Sequence, residues 1–387
     1  MGKGFYDKMG ASATKDEVHA AIKKEDKGLY PNAFCKMIQD PFDEDSALIV
    51  HSDGVGTKSL ISYLMYKETG DPSYFRNPPI DSMVMNLDDM ACVGAIDNLV
   101  MANTIDRNAA RIGGDAIKQI ITGYRDTVAM LKSHGVSIIS GGGETADVGD
   151  LVATTTINST FFTRVKKDRV ITFDKVKPGD VIVGLASFGK ATYEDKENSG
   201  IGSNGFTAAR HSLLSNTYAK KYPEIVCTTL KDSGYQGKFL LTDKLPGSTM
   251  TIGEALISPT RTYVPVLKEM LDKHFNQIHG IIHNTGGGLT KSRKFGKGLT
   301  FVKDNLFEPP AIFNAIYETG KMDMKEMFKV FNMGQRMEIY TPSESAQAII
   351  DIAKKYNIDA KIIGRVEKGA GDKNTVVVKF KGEQYEY

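Results

Sequence analysis

The sequence predicts a two-domain protein of mixed structure, α+β or α/β in each half. Three observations carry that expectation. The chain has 387 residues, 41% of them hydrophobic, enough for two cores when a domain takes ~100–200 residues. An apolar run, ALIV (47–50), breaks into DGVGTK (53–58) and resumes at helical spacing with Leu60, Ile61, Leu64 and Met65, which reads as strand, tight turn, helix. The texture then changes at KKDRVITFDKVKPGD (166–180), a polar stretch ending in a turn. A boundary there separates residues 1–168 from residues 169–387.

The elements follow in order. TKDE (14–17) has capping-box form and opens a helix to about Asp26. A strand over 46–52 and a helix over 57–69 come from the run just described. Asp81 heads SMVMNLDDMACVGA, a buried helix ending at Gly94, and a capping role suits it as well as a site role. Residues 98–105 are extended, and Ala116 to His134 has helical period with Gly135 as its stop. VSIIS (136–140) reads as a short buried strand running into a GGGET turn. LVATTTINSTFFTRV (151–165) alternates and is rich in β-branched residues, the mark of antiparallel sheet. In the second half, VIVGLAS is a strand. Helices are expected over 204–218, 253–274, 309–319, 324–331 and 343–356, and strands over 278–283, 336–341, 360–367 and 374–380.

Several classes are set aside. The formal charge is +2 and basic residues do not cluster, which argues against nucleic-acid binding. No apolar run reaches the ~18 residues of a membrane span. The polar start, MGKGFYDKMGAS, lacks a signal-peptide core, and three cysteines without a CxxC pair make neither a disulfide framework nor a zinc ribbon. The expectation is a cytoplasmic protein.

No Walker A motif occurs. GIGSNG (200–205) has the letters of a dinucleotide fingerprint, but the charged loop KATYEDKENS separates it from its strand, where the fingerprint needs a direct exit. Ser203, Asn204 and Gly205 read instead as the cap of the helix starting near Phe206. Four glycine-bearing turns each follow an expected strand: 53–58, 141–145, 203–205 and 285–288. A glycine turn is commonly only a tight connection. Four together, three with a nearby Ser, Thr or Lys, suit the close approach of anionic oxygens to backbone N–H groups. Asp53 and Glu144 sit on such turns, and Asp81, Asp88 and Asp89 lie in the apolar helix, where an acid needs compensation. Carboxylates on glycine turns suit magnesium with phosphate oxygens. His279 and His283, four apart before a triple glycine, have no zinc-protease context.

Together DGVGTK, a helix ending Val-Gly-Ala, GGGETA, SNGF, SPTRTYV (258–264), HNTGGG and FNMG (331–334) resemble, in that order, the phosphoribosylformylglycinamidine cyclo-ligase (AIR synthetase) family. DGVGTK and GGETA are shared with a wider superfamily; SPTRTYV and FNMG are more particular. The resemblance implies an N-terminal domain giving strands to a β-barrel across a homodimer interface and a C-terminal α/β sandwich. It implies ATP-dependent ring closure of formylglycinamidine ribonucleotide to aminoimidazole ribonucleotide in purine synthesis. Magnesium falls to Asp53, Asp88 and Glu144, with Asp81 and Asp89 behind them. ATP or substrate phosphates fall to Gly54, Gly56, Thr57, Lys58, Gly141, Gly142, Gly143, Thr145, Ser203, Gly205, Gly286, Gly287 and Gly288. Lys58, Asn204 and His283 are the implied catalytic residues, and Thr260 and Arg261 either contact ligand or hold structure.

The sequence also departs from the family. Residues 29–42, LYPNAFCKMIQDPF, lack the glycines expected of a nucleotide cover. The loop 189–202 is long and charged, and Lys291 stands where an acid is usual. A thiamine-monophosphate kinase of the same superfamily and a non-catalytic nucleotide-binding homologue are the alternatives.

Overall fold

The computed structural model describes residues 4–12, 16–22, 24–227, 229 and 234–387. Among these, β1 (Ile38–Gln39), β2 (Ser46–Gly54), β3 (Leu99–Arg107), β4 (Ile138–Asp147) and β5 (Thr155–Lys166) form one sheet in the order β1-β2-β5-β3-β4. Along β5 the expected alternation holds: Ile157, Ser159, Phe161, Thr163 and Val165 are buried while Phe162, Arg164 and Lys166 are exposed. β5 is antiparallel to β2 and β3, whereas β3 and β4 are parallel. Parallel neighbours need a crossover, and the 20-residue helix Gly114–Ser133 supplies it.

The outer face of this sheet carries an apolar row. Val50 pairs with Phe162, Phe162 with Val100, and Val100 with Ile139. All four side chains are exposed, Val50 and Ile139 each at 60%.

The helices are α1 (Phe5–Lys8), α2 (Asp16–Ala21), α3 (Ser59–Thr69), α4 (Asn77–Ala91), α5 (Gly114–Ser133), α6 (Phe206–Leu213), α7 (Asn216–Lys221), α8 (Ile252–Ile257), α9 (Val264–His274), α10 (Ala311–Thr319), α11 (Met324–Val330) and α12 (Ala346–Lys355). Thr14 and Lys15 of the expected capping box lie outside the described residues, and α2 stops at Ala21 rather than Asp26. α4 begins at Asn77, with Pro78 and Pro79 in the first turn, where a missing N–H costs nothing. Asp81 is therefore inside the helix and caps nothing. From Ile257 to Val264 the expected helix 253–274 is interrupted, because Ser258 precedes a proline and is held extended, ψ 123°. Likewise 204–218 is two helices, α6 and α7. None of the helices among the described residues is long and apolar enough to cross a membrane.

The second sheet contains β6 (Val181–Ala186), β7 (Gly280–His283), β8 (Leu299–Lys303), β9 (Gln335–Thr341), β10 (Ala360–Lys368), β11 (Thr375–Phe380) and β12 (Glu383–Glu386), in the order β12-β11-β8-β10-β6-β9-β7. The sequence pattern missed β1, β8 and β12. It also misread β4: GGGET is part of the strand, and 136–140 is not a buried one, since β4 is exposed along nearly its whole length. α4 packs on β2 and β5 on one side and meets α9 and β7 on the other. It is covered all round, and it joins the two halves.

β9 holds a second constraint. Lys303 Nζ lies 2.6 Å from Glu338 Oε1, with both side chains at 0% exposure. Glu338 also accepts from Asn284 Nδ2 and Tyr340 OH, each at 2.7 Å. Breaking a buried pair strands its remaining charge. Lys303→Met should lower unfolding free energy by about 3–5 kcal/mol in urea titration, and adding Glu338→Gln should recover part of the loss.

Candidate functional site

The C-terminal half reaches α4 through residues 258–263, SPTRTY. Asp81 Oδ1 accepts from Lys58 Nζ at 2.8 Å, from the Thr260 backbone N–H at 2.7 Å and from Ser203 Oγ at 3.2 Å. Lys58 Nζ donates as well to the Ser258 carbonyl, and Ser203 Oγ lies 3.1 Å from Thr260 Oγ1. Seven residues on, ~10 Å along the helix, Asp88 accepts from Thr262 Oγ1 at 2.8 Å and from the Tyr263 N–H at 3.0 Å. Asp89 Oδ1 is 2.7 Å from His283 Nδ1. Its other oxygen is 3.7 Å from His51 Nε2.

Lys58 is only 2% exposed. Burial lowers its pKa against the pull of Asp81, and two of its three donors are already engaged. The expected phosphate ligand is thus a tie between the halves. Thr57 serves the same joint, its Oγ1 3.0 Å from Thr207 Oγ1. Arg261 is resolved in favour of structure. Its Nε meets Glu194 Oε1 at 2.9 Å, its Nη1 the carbonyls of Ala186 and Phe188, and its Nη2 Glu194 Oε2 and the Gly189 carbonyl. All five guanidinium N–H groups are used. The long loop 189–202 is the other half of this clasp, with Ser199 Oγ on the Ala255 carbonyl and Asn198 Nδ2 on that of Pro259.

Ser203 and Asn204 do not cap α6. The N-cap is Gly205, in the left-handed region at φ 71°, and a Cβ there would lie 2.5 Å from the Phe331 ring. Ser203 is spent on Asp81, while Asn204 Nδ2 is buried without a partner. Among the described residues, Asp81 Oδ2, His283 Nε2, Asn284 Oδ1 and Arg336 Nε share that condition. They belong to elements that meet at this junction. Buried polar atoms are nearly always satisfied; the other buried side-chain atoms without a hydrogen-bond partner among the described residues are on Asp40, Arg210, Ser212 and Ser292, and the five here leave room for a ligand's polar groups.

The triple glycine sorts into parts. Gly288 is packed against the Phe328 and Phe331 carbonyls, and Gly287 sits at φ 101° in the tight turn. Gly286 has neither reason to be glycine, since a Cβ there would meet nothing within 4 Å. The space beside it is open, so another group could approach its backbone closely. Beside it Lys291 Nζ lies 3.4 Å from Thr285 Oγ1 and 4.9 Å from the centre of the Phe34 ring. Phe34 in turn stacks on Phe295 at 5.4 Å. The middle of residues 29–42 is accordingly packed inward, with Ala33, Cys35 and Met37 buried, while Leu29, Ile38 and Phe42 are exposed.

The expected magnesium trio does not come together in one chain. Gly141, Gly142, Gly143, Glu144 and Thr145 lie on exposed β4. β5 and β3 stand between β4 and the end of β2 that carries Asp53, Gly54 and, just beyond, Gly56; three strand spacings are ~14 Å. Gly54 and Gly143 are tight packing positions, a Cβ at either lying within 2.6 Å of Asn158 or Asn103. Asp88 is committed to Thr262 and Tyr263. Among the described residues no group of three His, Cys, Asp or Glu side chains could hold a metal ion.

The charge states are set by burial. Burial pushes the Asp88 carboxyl up to about 7, against Arg336 and the hydrogen bonds from Thr262 and Tyr263. Burial also pulls His283 below its ordinary value despite Asp89. Burial would raise Asp89, but the hydrogen bond from His283 and the charge of Lys291 hold it lower than a usual carboxyl. The consistent state is an ionised Asp89 accepting from a neutral imidazole's Nδ1–H, which leaves the Nε2 lone pair as the buried, unengaged atom.

Residues 25–165 match the family model for AIR synthase related protein, N-terminal domain, and residues 177–377 match that for the C-terminal domain. Solved structures share the fold. A chain of the HypE-HypF complex superposes with TM-score 0.58 at 15% identity, covering 96% of this chain and 98% of that one. T. maritima PurL complexed with FGAR gives TM-score 0.56 at 16% identity, covering 97% of this chain. The chain spans about half the length of that structure, 49%. The fold and its interdomain junction thus define an AIR synthase related protein.

Among curated relatives, the phosphoribosylformylglycinamidine cyclo-ligase of Methanocaldococcus jannaschii is 34% identical over 328 residues, 83% of this chain and 79% of that one. That of Methanococcus maripaludis is 32% identical over 385 residues, 97% and 93%. The chain belongs to the phosphoribosylformylglycinamidine cyclo-ligase family, and it is an enzyme, a ligase.

Asp88 binds its proton more tightly folded than unfolded. Its contribution to stability is complete below the ordinary value of 3.8 and is lost as pH rises through about 7. Between pH 5 and pH 8 in thermal denaturation, wild-type protein should lose more of its melting temperature than Asp88→Asn does.

Proposed function

We propose that the protein closes the imidazole ring of aminoimidazole ribonucleotide, using formylglycinamidine ribonucleotide and ATP. An amide oxygen leaves poorly. In this reading ATP's γ-phosphoryl group passes to the formyl oxygen and ADP departs. The amidine nitrogen then attacks the same carbon, loses a proton and expels the oxygen as inorganic phosphate. Positioning and charge neutralisation do most of the work in such a transfer.

The observation that carries the reading is the buried Asp89–His283 pair with Nε2 unengaged. His283 Nε2 accepts the proton of the attacking nitrogen, and Asp89 fixes the tautomer that makes this possible. Asn204 Nδ2 donates to a substrate oxygen, and Gly286 lets a phosphate come close to the backbone. Magnesium, when bound with ATP, offsets phosphate charge. No step is assigned to a site made of Asp53, Asp88 and Glu144, because one chain does not gather them.

Residues 1–168 and 169–387 act in this reading as two domains, and the protein works in the cytoplasm, where the buried thiols of Cys35 and Cys92 stay reduced. The exposed row Val50, Phe162, Val100 and Ile139 supports a homodimer. It crosses every long strand of the first sheet, so a second copy of the same face would cover it, and closure into a barrel would remove the open edge at β4.

Incubation with formylglycinamidine ribonucleotide and Mg-ATP should yield aminoimidazole ribonucleotide and ADP in equal amounts. His283→Asn should lower kcat by about 10²–10⁴-fold while ATP still binds. ATP binding with neither product formed would sink the reading, and phosphorylation of thiamine monophosphate would replace it with the kinase. In sedimentation velocity, Ile139→Asp combined with Phe162→Asp should convert a dimer to a monomer; an unchanged species would remove the barrel.

A further inference from the structure

Most buried cations at the centre of this molecule face a carboxylate. Lys58 faces Asp81, Arg261 faces Glu194, and Lys303 faces Glu338. Arg336 does not. It is 3% exposed, lies on fully buried β9, and makes no ion pair among the described residues. Its Nη2 donates to the Arg261 carbonyl, its Nη1 faces Gly202, where a Cβ would come within 2.5 Å, and its Nε is buried without a partner. The guanidinium lies over the Tyr263 ring, 5.8 Å from the centroid.

A buried charge with no counter-charge is costly, and in proteins such groups are paired or bind something charged. Asp88 is within electrostatic reach, but its oxygens are directed to Thr262 and Tyr263. The position is also the right one. The Arg336 carbonyl accepts from the Asn284 N–H at 2.7 Å, and His283 pairs with Met337, the next residue of β9. Arg336 thus stands between the His283 end of the junction and the Gly202–Asn204 turn.

We infer that Arg336 is a ligand-binding residue of this site, its guanidinium supplying the positive charge for a phosphoryl oxygen. The inference rests on the function proposed above and adds to it a residue that none of the motifs contains. A guanidinium suits a phosphoryl group because several N–H donors lie in one plane. The phosphoryl group is that of the nucleotide or that of the ribonucleotide, which the two arms of the test separate.

Full-length wild type, Arg336→Met and Arg336→Lys are compared by thermal unfolding without ligand. Each is then titrated calorimetrically with ADP and, separately, with aminoimidazole ribonucleotide. The methionine variant should melt no lower than wild type, because it removes an uncompensated charge. It should also bind one of the two ligands about 10- to 100-fold more weakly, the loss expected for a charge-assisted hydrogen bond. The lysine variant should fall between. The ligand that loses affinity identifies the phosphoryl group. Wild-type affinity for both ligands in the methionine variant would overturn the assignment. If that variant melts well below wild type or fails to fold, the lysine variant decides: weaker binding supports the assignment, and undiminished binding overturns it. Wild type that binds neither ligand would sink the proposed function and this assignment together, whereas tight wild-type binding with unaffected variants sinks this assignment alone.

Discussion

Asp81 and Asp88 lie inside a helix with no solvent-facing side, and carboxylates there persist only where donors are aimed at them. Residues 258–263 bring those donors from the other half of the chain. Pro259 holds the segment extended, so the N–H groups of Thr260 and Tyr263 escape helical pairing and reach Asp81 and Asp88. Arg261, between them, turns the opposite way and locks the loop 189–202. One short non-helical stretch thereby ties α4, the long charged loop and the glycine turn at 200–205 into a single junction. The polar atoms left over at that junction are those assigned to ligand in the function proposed above.

The fold was legible where one face of an element meets water. β5 alternates because one face of its sheet is open, and the strand-turn-helix at 46–69 announces itself by the change of period. It was less legible where burial is complete or absent. Nothing in the residues of α4 alone says that Asp81 faces a backbone N–H 179 positions away. β4 looked like strand plus turn because three glycines usually bend a chain; here they stay in an edge strand, with an irregularity in its register where Gly142 takes φ 103°. Glycine counts alone also do not separate packing from ligand approach. Gly54, Gly143, Gly205 and Gly288 are explained by packing, and only the space around each one separates them from Gly286.

His283 and Asn204 were singled out by their motifs, and the structure shows each with a buried, unpartnered nitrogen. Arg336, proposed above as a ligand contact, lies in none of the motifs, although its strand carried a signal. QRMEIYT carries two charged residues inside a strand that is buried throughout, and one of them, Glu338, has its partner in Lys303. The other was the anomaly to pursue. The segment 29–42, which lacks glycine, is likewise no vacant cover: Phe34 sits between Phe295 and Lys291, so aromatic packing holds a stretch that glycine would leave free.

The covering of α4 from both sides also bears on how the chain is made. α4 ends at Ala91, while the segment that satisfies its carboxylates begins at Ser258. At ~5–20 residues per second of synthesis, roughly 10–30 seconds separate the two on the ribosome. The first sheet is complete only once β5 ends at Lys166, and from then until Ser258 emerges the helix has its first sheet but lacks its second cover. The early half of this protein is therefore born with a sticky, half-dressed helix, and its safe passage depends on how quickly translation delivers the rest.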